Sequence, residues 1–280
     1  MNTFLHCGDF RLPLERPLVM GIINATPDSF SGDGVGADAG RALAQARQFI
    51  ADGADVLDIG GESTRPGSDP VSAVDEIRRV VPVIEALGGL GVPLSIDTWK
   101  PEVMRAALAA GATMVNDING LQAPGAIEAV AASDAAVCIM HMQGTPQTMQ
   151  VSPFYADVCR EVTDFLLQRA ACAQDSGIDR ARIMLDPGFG FGKTSTHNLE
   201  LINGLQELAA QGYPLLVGLS RKSVLGSLTG RKVTDRVAAS VAAALASIAR
   251  GARMVRVHDV AATRDAIAVW QVAGVFCDEV

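Results

Sequence analysis

The chain has 280 residues, 49% of them hydrophobic and 19% charged, with a formal net charge of −8. So apolar a composition excludes an intrinsically disordered chain and supplies ample material for a core. The acidic balance excludes a general binder of nucleic acid or anionic membranes, so any anion site must be local.

The N-terminus has no basic stretch followed by an apolar run, so no secretory signal is expected. The stretch from Phe4 to Leu14, with Leu5, Gly8, Asp9, Phe10 and Leu12, predicts a hairpin that closes the lower end of the fold. A first apolar run, Leu18–Asn24, leads to a segment that Asp38 can cap as a helix through Ile50, with Gly53 beyond its end. The runs Val56–Gly60 and Leu94–Asp97 come next. Pro101 then sits where a first helical turn wants it, and Gly111 stops the helix after Met104–Ala110. Three further runs, Met114–Asp117, Ala136–His141 and Ile183–Asp186, are accompanied by helical segments over 154–176 and 197–211. Leu215–Ser220 leads to a helix over 234–249, and Met254–His258 to one over 261–272. The stretch Val237–Ala249 is too short to span a bilayer and is mostly Ala, so it reads as a core helix.

Each run is nearly continuous in apolar character, as expected of parallel strands buried on both faces. About eight such strands alternating with helices over roughly 260 residues predict an α/β fold, a closed (β/α)8 TIM barrel. The expected layout is one domain over residues 1–280, with a hairpin over 1–16, the barrel over 17–274 and a frayed tail over 275–280. An open doubly wound sheet is the alternative. The cysteines Cys7, Cys138, Cys159, Cys172 and Cys277 are odd in number and show no CxxC spacing, which predicts reduced thiols in a cytoplasmic protein.

In such barrels the loops after the strands build the active site. The run ends carry Asn24, Asp97, Asn116, Asp117, His141, Asp186, Ser220, Arg221, Lys222, Arg256 and His258. Burying so many polar groups unpaired would cost about 1–3 kcal/mol each, and a polar ligand is the economical explanation. Several have simpler readings. Asp97 could cap the helix that starts at Pro101, Asp186-Pro187-Gly188 could be a turn, Asp117 reads as structural, and His141 reads as a satisfied core histidine.

Three glycine-rich stretches need sorting. Residues 32–36 lack the spacing of a dinucleotide fingerprint and read as a mobile loop. Residues 188–194 resemble a phosphate loop but put Pro187 where its first glycine belongs. Residues 60–67 follow the second run, and there Arg65 could reach a phosphate with its planar fork. No His, Cys or Asp cluster has metal-ligand spacing, so tightly held zinc is not expected. A Mg²⁺ bridging a substrate diphosphate would need few protein ligands, and Asn24 is one candidate.

Several blocks stand in order along nearly the whole chain: Gly21-Ile22-Ile23-Asn24-Ala25-Thr26-Pro27-Asp28-Ser29-Phe30, Asp58 to Gly67, Ile96-Asp97-Thr98, Val115-Asn116-Asp117, Met140 to Gly144, Leu185 to Gly190, Gly218 to Ser223 and Arg256-Val257-His258-Asp259. Taken together, they resemble the dihydropteroate synthase family. The resemblance implies a transferase of folate synthesis that joins 6-hydroxymethyl-7,8-dihydropterin diphosphate to p-aminobenzoate, releasing diphosphate. It implies that Asp186, Asn116 and Lys222 grip the pterin edge, that Arg256 stacks on the ring, and that Asp97 lies near its reacting part. Asn24, Arg65 and His258 would gather around the diphosphate with Mg²⁺ on Asn24. Thr64, Pro66, Phe30 and Ser223 would shape the p-aminobenzoate pocket. A homodimer is implied, with no nucleic-acid or membrane partner. Two competing readings are a pterin-dependent methyltransferase domain and a non-catalytic pterin binder. The Ser-Thr-Arg-Pro-Gly and Ser-Arg-Lys blocks argue against the first, and Phe30, Thr64, Arg65 and Pro66 against the second.

Overall fold

The computed structural model describes residues 3–26, 38–65 and 67–274. Strands β1 (Phe4–Cys7) and β2 (Phe10–Pro13) pair antiparallel as the expected hairpin. The parallel strands are β3 (Leu18–Asn24), β4 (Val56–Gly60), β5 (Leu94–Asp97), β6 (Met114–Asp117), β7 (Ala136–Met140), β8 (Ile183–Asp186), β9 (Leu215–Val217) and β10 (Ala252–Val257). They form a closed barrel in which β10 pairs with both β3 and β9, which rules out the open sheet.

Between the strands run α1 (Ala39–Ala51), α2 (Ala73–Leu87), α3 (Pro101–Ala109), α4 (Ala126–Ala131), α5 (Val158–Asp175), α6 (Ser195–Asn203), α7 (Leu205–Ala209), α8 (Ser223–Thr229) and α9 (Val237–Ile248), and α10 (Val260–Gly274) follows β10. Asp38 does cap α1, its carboxylate accepting from the Gly40 and Arg41 amides. The one helix expected over 197–211 is broken at Gly204, where a Cβ would come within 2.7 Å of Cys159 Sγ. Three helices, α2, α4 and α8, have no counterpart in the sequence reading. Pro82 lies inside α2 and obscures its period, while α4 and α8 span only six and seven residues.

Alternation along each strand decides what the barrel encloses. One set of positions, including Val19, Ile23, Leu57, Ile59, Ile96, Val115, Ile139, Leu185 and Val255, packs outward in a core shared with the helices. The other set, Leu18, Met20, Val56, Met114, Cys138, Met184, Leu216 and Met254, meets Leu5, Cys7, Leu12 and Leu14 of the hairpin in a second cluster. The hairpin therefore plugs the end at which the strands begin. Stepping two residues at a time from this second set reaches Asn24, Asp58, Asn116, Asp186, Arg256 and His258, and on β5 the same parity runs from buried Ser95 to Asp97. The interior is thus apolar at the plugged end and polar at the carboxyl ends. No helix among the described residues is long and apolar enough to cross a membrane.

Candidate active site

Asn24, Gly60, Asp97 and Asn116 stand in register across four adjacent strands, so β3 to β6 deliver their ends at one level. Asp58 lies two residues below Gly60 and is wholly buried. Its Oδ2 accepts from Arg256 Nε at 2.6 Å and from Asn116 Nδ2 at 3.2 Å. The same guanidinium donates to Asp97 Oδ2 at 2.6 Å. Two carboxylates thus share one cation. Among the described residues, the Oδ1 atoms of Asp58, Asp97 and Asn116 are buried without a hydrogen-bond partner. Such atoms are costly in a folded chain unless a ligand supplies donors. Burial pushes the Asp97 carboxyl up to about 7; Arg256 pulls the other way, and the charge of Asp58 adds to the rise. Asp97 does not cap α3, whose first cap position is Lys100. Sequence reasoning gives Asp58 no role, although an acid in the middle of an apolar run, at the parity of the site residues, is a usable signal.

Across the barrel, Asp186 ends β8, nearly buried, and its Oδ1 accepts the Gly188 amide at 2.7 Å. The turn reading of Asp186 therefore holds alongside any ligand role. Burial raises its pKa, opposed by Lys222, the Gly188 amide, Lys193 and Arg256. Lys222 leads into α8, donates through Nζ to the Phe189 carbonyl, and sits 4.7 Å from the Phe191 ring centroid. Burial lowers its pKa to about 8, with Asp186 opposing. A Cβ at Gly218 would lie 3.8 Å from Arg256 Cβ and 3.9 Å from Lys222 Nζ, so both side chains pass close over the same bare stretch of backbone. Asp97 and Asp186 both act electrostatically on Lys222 and on Arg256. The four residues Asp97, Asn116, Asp186 and Lys222 therefore belong to one end of one barrel, and the three charged ones act on one another or on the shared Arg256.

The remaining candidates lie at the ends of their strands or on the segments that follow them. His258 Nδ1 is 3.0 Å from Ser220 Oγ, which also accepts the His258 amide at 3.2 Å. Arg221, at φ +58°, forks onto Asp259 with contacts of 3.1 and 2.6 Å. Within the Ser-Arg-Lys block it is thus a clamp that turns the chain toward Lys222. Ser223 is exposed at the start of α8; half-buried Thr64 and exposed Arg65 lie on the loop after β4. That loop is anchored by Glu62, which accepts from Lys100 Nζ at 2.7 Å, Trp99 Nε1 at 3.1 Å and the Val71 amide at 2.7 Å. Phe30, Pro66, the loop expected over 32–36 and the tail expected over 275–280 lie outside the described residues. Asp117 proves structural, accepting the Asn119 and Leu121 amides. His141 is the expected core histidine, edge-on to Phe165 with ring centroids 5.0 Å apart.

No group of three or more His, Cys, Asp or Glu among the described residues could hold a metal. Asn24, half-buried at the end of β3, offers one hard oxygen. That donor set fits a Mg²⁺ carried in by a polyphosphate, and does not fit a metal caged by protein.

The pterin binding enzyme family model matches residues 20–258. The chain is 52% identical over 275 residues to the dihydropteroate synthase of Neisseria meningitidis serogroup B, covering 96% of each. A crystal structure of Burkholderia cenocepacia dihydropteroate synthase with 7,8-dihydropteroate superposes with a TM-score of 0.90 at 52% identity, covering 99% of both chains. The Xanthomonas albilineans dihydropteroate synthase with 4-aminobenzoic acid gives a TM-score of 0.91 at 50% identity, covering 98% of this chain and 99% of that one.

Proposed function

The chain belongs to the dihydropteroate synthase family of pterin-binding enzymes, and we propose that its rim site joins 6-hydroxymethyl-7,8-dihydropterin diphosphate to p-aminobenzoate. The observation that carries this reading is the set of buried, unpartnered oxygens on Asp58, Asp97 and Asn116 around the Arg256 guanidinium. A flat ring bearing several N–H donors is the ligand such acceptors call for. In this reading Asp186 and Asn116 grip the aminopyrimidinone edge, and Lys222 donates to the ring carbonyl side. Arg256 has its N–H edge engaged by two carboxylates, so its planar face is what it offers the ring.

The reaction is a dissociative substitution. The bond from the pterin methylene to the diphosphate oxygen breaks, and the electron pair leaves with the diphosphate. Arg65 and His258 take up the charge that develops there. When bound, Mg²⁺ would neutralise part of the same charge, and Asn24 is the residue of this chain that would hold it. The methylene becomes cationic. Arg256 fixes one oxygen of Asp97 and leaves the other, so a preorganised carboxylate faces the cation. The p-aminobenzoate amine then forms the new C–N bond and gives up a proton. Thr64 and Ser223, with Phe30 and Pro66, shape the p-aminobenzoate pocket. No covalent enzyme intermediate is required.

The reading takes the protein to be cytoplasmic and homodimeric. The unpaired thiols of Cys7, Cys138, Cys159 and Cys172 fit a reducing compartment. One assay tests the function: diphosphate release should require both the pterin diphosphate and p-aminobenzoate. Affinity without release would mark a binder, and turnover indifferent to p-aminobenzoate would mark a methyltransferase.

A further inference from the structure

The glycine-rich turn after β8 has no step in this reaction, yet its lysine is 3% exposed. We propose that Lys193 is a positioning residue, a buried cation that clamps the 188–192 turn onto the exit of β7 and so sets the place of Lys222. The proposal rests on the reading of Lys222 as a pterin-site residue.

Lys193 Nζ lies 2.9 Å from His141 Nδ1, 2.9 Å from the Gly188 carbonyl and 3.0 Å from the Phe191 carbonyl, with the His141 carbonyl at 3.4 Å. The three nearest groups are all acceptors when His141 carries its proton on Nε2. An ammonium has three N–H donors and no lone pair, so it satisfies all three at once; a neutral amine leaves one unserved. Burial holds the imidazole neutral, with its pKa lowered to about 3, so one ring nitrogen is an acceptor, and a charged Lys193 beside Nδ1 selects the tautomer in which it is Nδ1. No carboxylate lies within ion-pair distance of Lys193 among the described residues; burial lowers its pKa to about 7, opposed by Asp186 and reinforced by Lys222, and the three acceptors around Nζ are what favour its charged form.

The turn needs such a clamp. Gly188, Gly190 and Gly192 have φ of +69°, +80° and +63°. A Cβ would come 1.9 Å from the His141 carbonyl oxygen at Gly188 and 2.6 Å from that of Gln143 at Gly192, so the turn lies directly on the backbone leaving β7. Glycines that permit this contact leave the segment with much conformational entropy to lose. The same turn forms the surroundings of Lys222. Phe189 gives it a carbonyl, Phe191 a ring face, and a Cβ at Gly190 would be 3.3 Å from its Cδ. Lys193 holds the turn, and the turn packs on Lys222. The likeness to a phosphate loop fails in function as well as spacing, since this lysine is engaged with inward carbonyls.

The test is a double-mutant cycle with Lys193→Met and Lys222→Met. Lys193→Met should raise KM for the pterin diphosphate about tenfold and leave KM for p-aminobenzoate within about twofold. Added to Lys222→Met, it should change kcat/KM by less than about twofold. Lysine-selective carbon NMR should show the Lys222 titration rising from about 8 toward the ordinary lysine value when Lys193 is replaced. Equal losses in both backgrounds, or an unmoved Lys222 titration, would overturn the proposal. If Lys193→Met does not fold, Lys193→Gln, which keeps two donors, carries the same cycle with smaller effects. Should the functional reading fail instead, the unmodified chain would release no diphosphate, while the Lys222 titration would still shift on replacing Lys193.

Discussion

Asp58 and Asp97 face one guanidinium between them, and that imbalance sets what each can do. Asp58 is sealed below and takes two donors on one oxygen; Asp97 is at the rim and takes Arg256 alone, and each keeps one buried oxygen without a partner. A carboxyl whose pKa rises from 3.8 to about 7 on folding stabilises the native state while it is protonated. That contribution is full below the unfolded value and is lost as pH climbs toward the folded one. Asp97→Asn should therefore melt higher than the unmodified chain above about pH 7, and the difference should vanish in acid. The same substitution should lower kcat by about 10²–10³, as removal of a preorganised charge does. Turnover within a few-fold of normal would leave Asp97 without a catalytic part. Since the ionised form is the useful one, kcat should also fall as pH drops below about 7. Asp186→Asn should act on binding instead, weakening pterin affinity about tenfold or more by calorimetry with p-aminobenzoate affinity intact. At this scale the sequence is informative about identity and poor about partnership. Asp97, Asn116, Asp186 and Arg256 are visible at run ends, but that Arg256 bonds an acid 198 positions away is a product of barrel closure.

Loops after the strands owe their shape to buried charge as much as to turns. Lys100, at the start of α3, bonds Glu62 at 2.7 Å and the fully buried Glu76 of α2 at 2.5 Å, tying the Thr64–Arg65 loop to two helices. Removing the cation strands a buried carboxylate, a loss of about 3–5 kcal/mol. Lys100→Met should show it in urea denaturation at pH 8. Glu76 already has its pKa raised by burial, and without Lys100 it would rise further. The penalty should shrink as pH falls through that value, and a pH-independent loss would refute the account. None of this network is legible in the sequence, because α2 itself is hidden by Pro82 and its acid looks like a solvated one. The long helices α1, α5 and α9 are legible, since length and apolar pattern, with a side-chain cap at α1 and α5, are local properties.

Over the whole molecule, stability and chemistry occupy opposite ends of the same barrel. Leu5 of the hairpin is fully buried among Leu18, Met20, Met114 and Met254 at the plugged end. Leu5→Ala should cost about 2–5 kcal/mol by cavity formation and leave kcat/KM unchanged. A parallel loss of activity would mean that the two ends are coupled. The strands, their parallel character and the polar set at their ends follow from patterns only a few residues long, so the sequence alone determined the architecture and most of the candidate site. Its likeness to a family supplied the chemistry. Which donor meets which acceptor, and that Asp58 and Lys193 belong to the arrangement at all, was decided only by tertiary structure. Pairings across the barrel depend on closure and register, and no short stretch of sequence records either one.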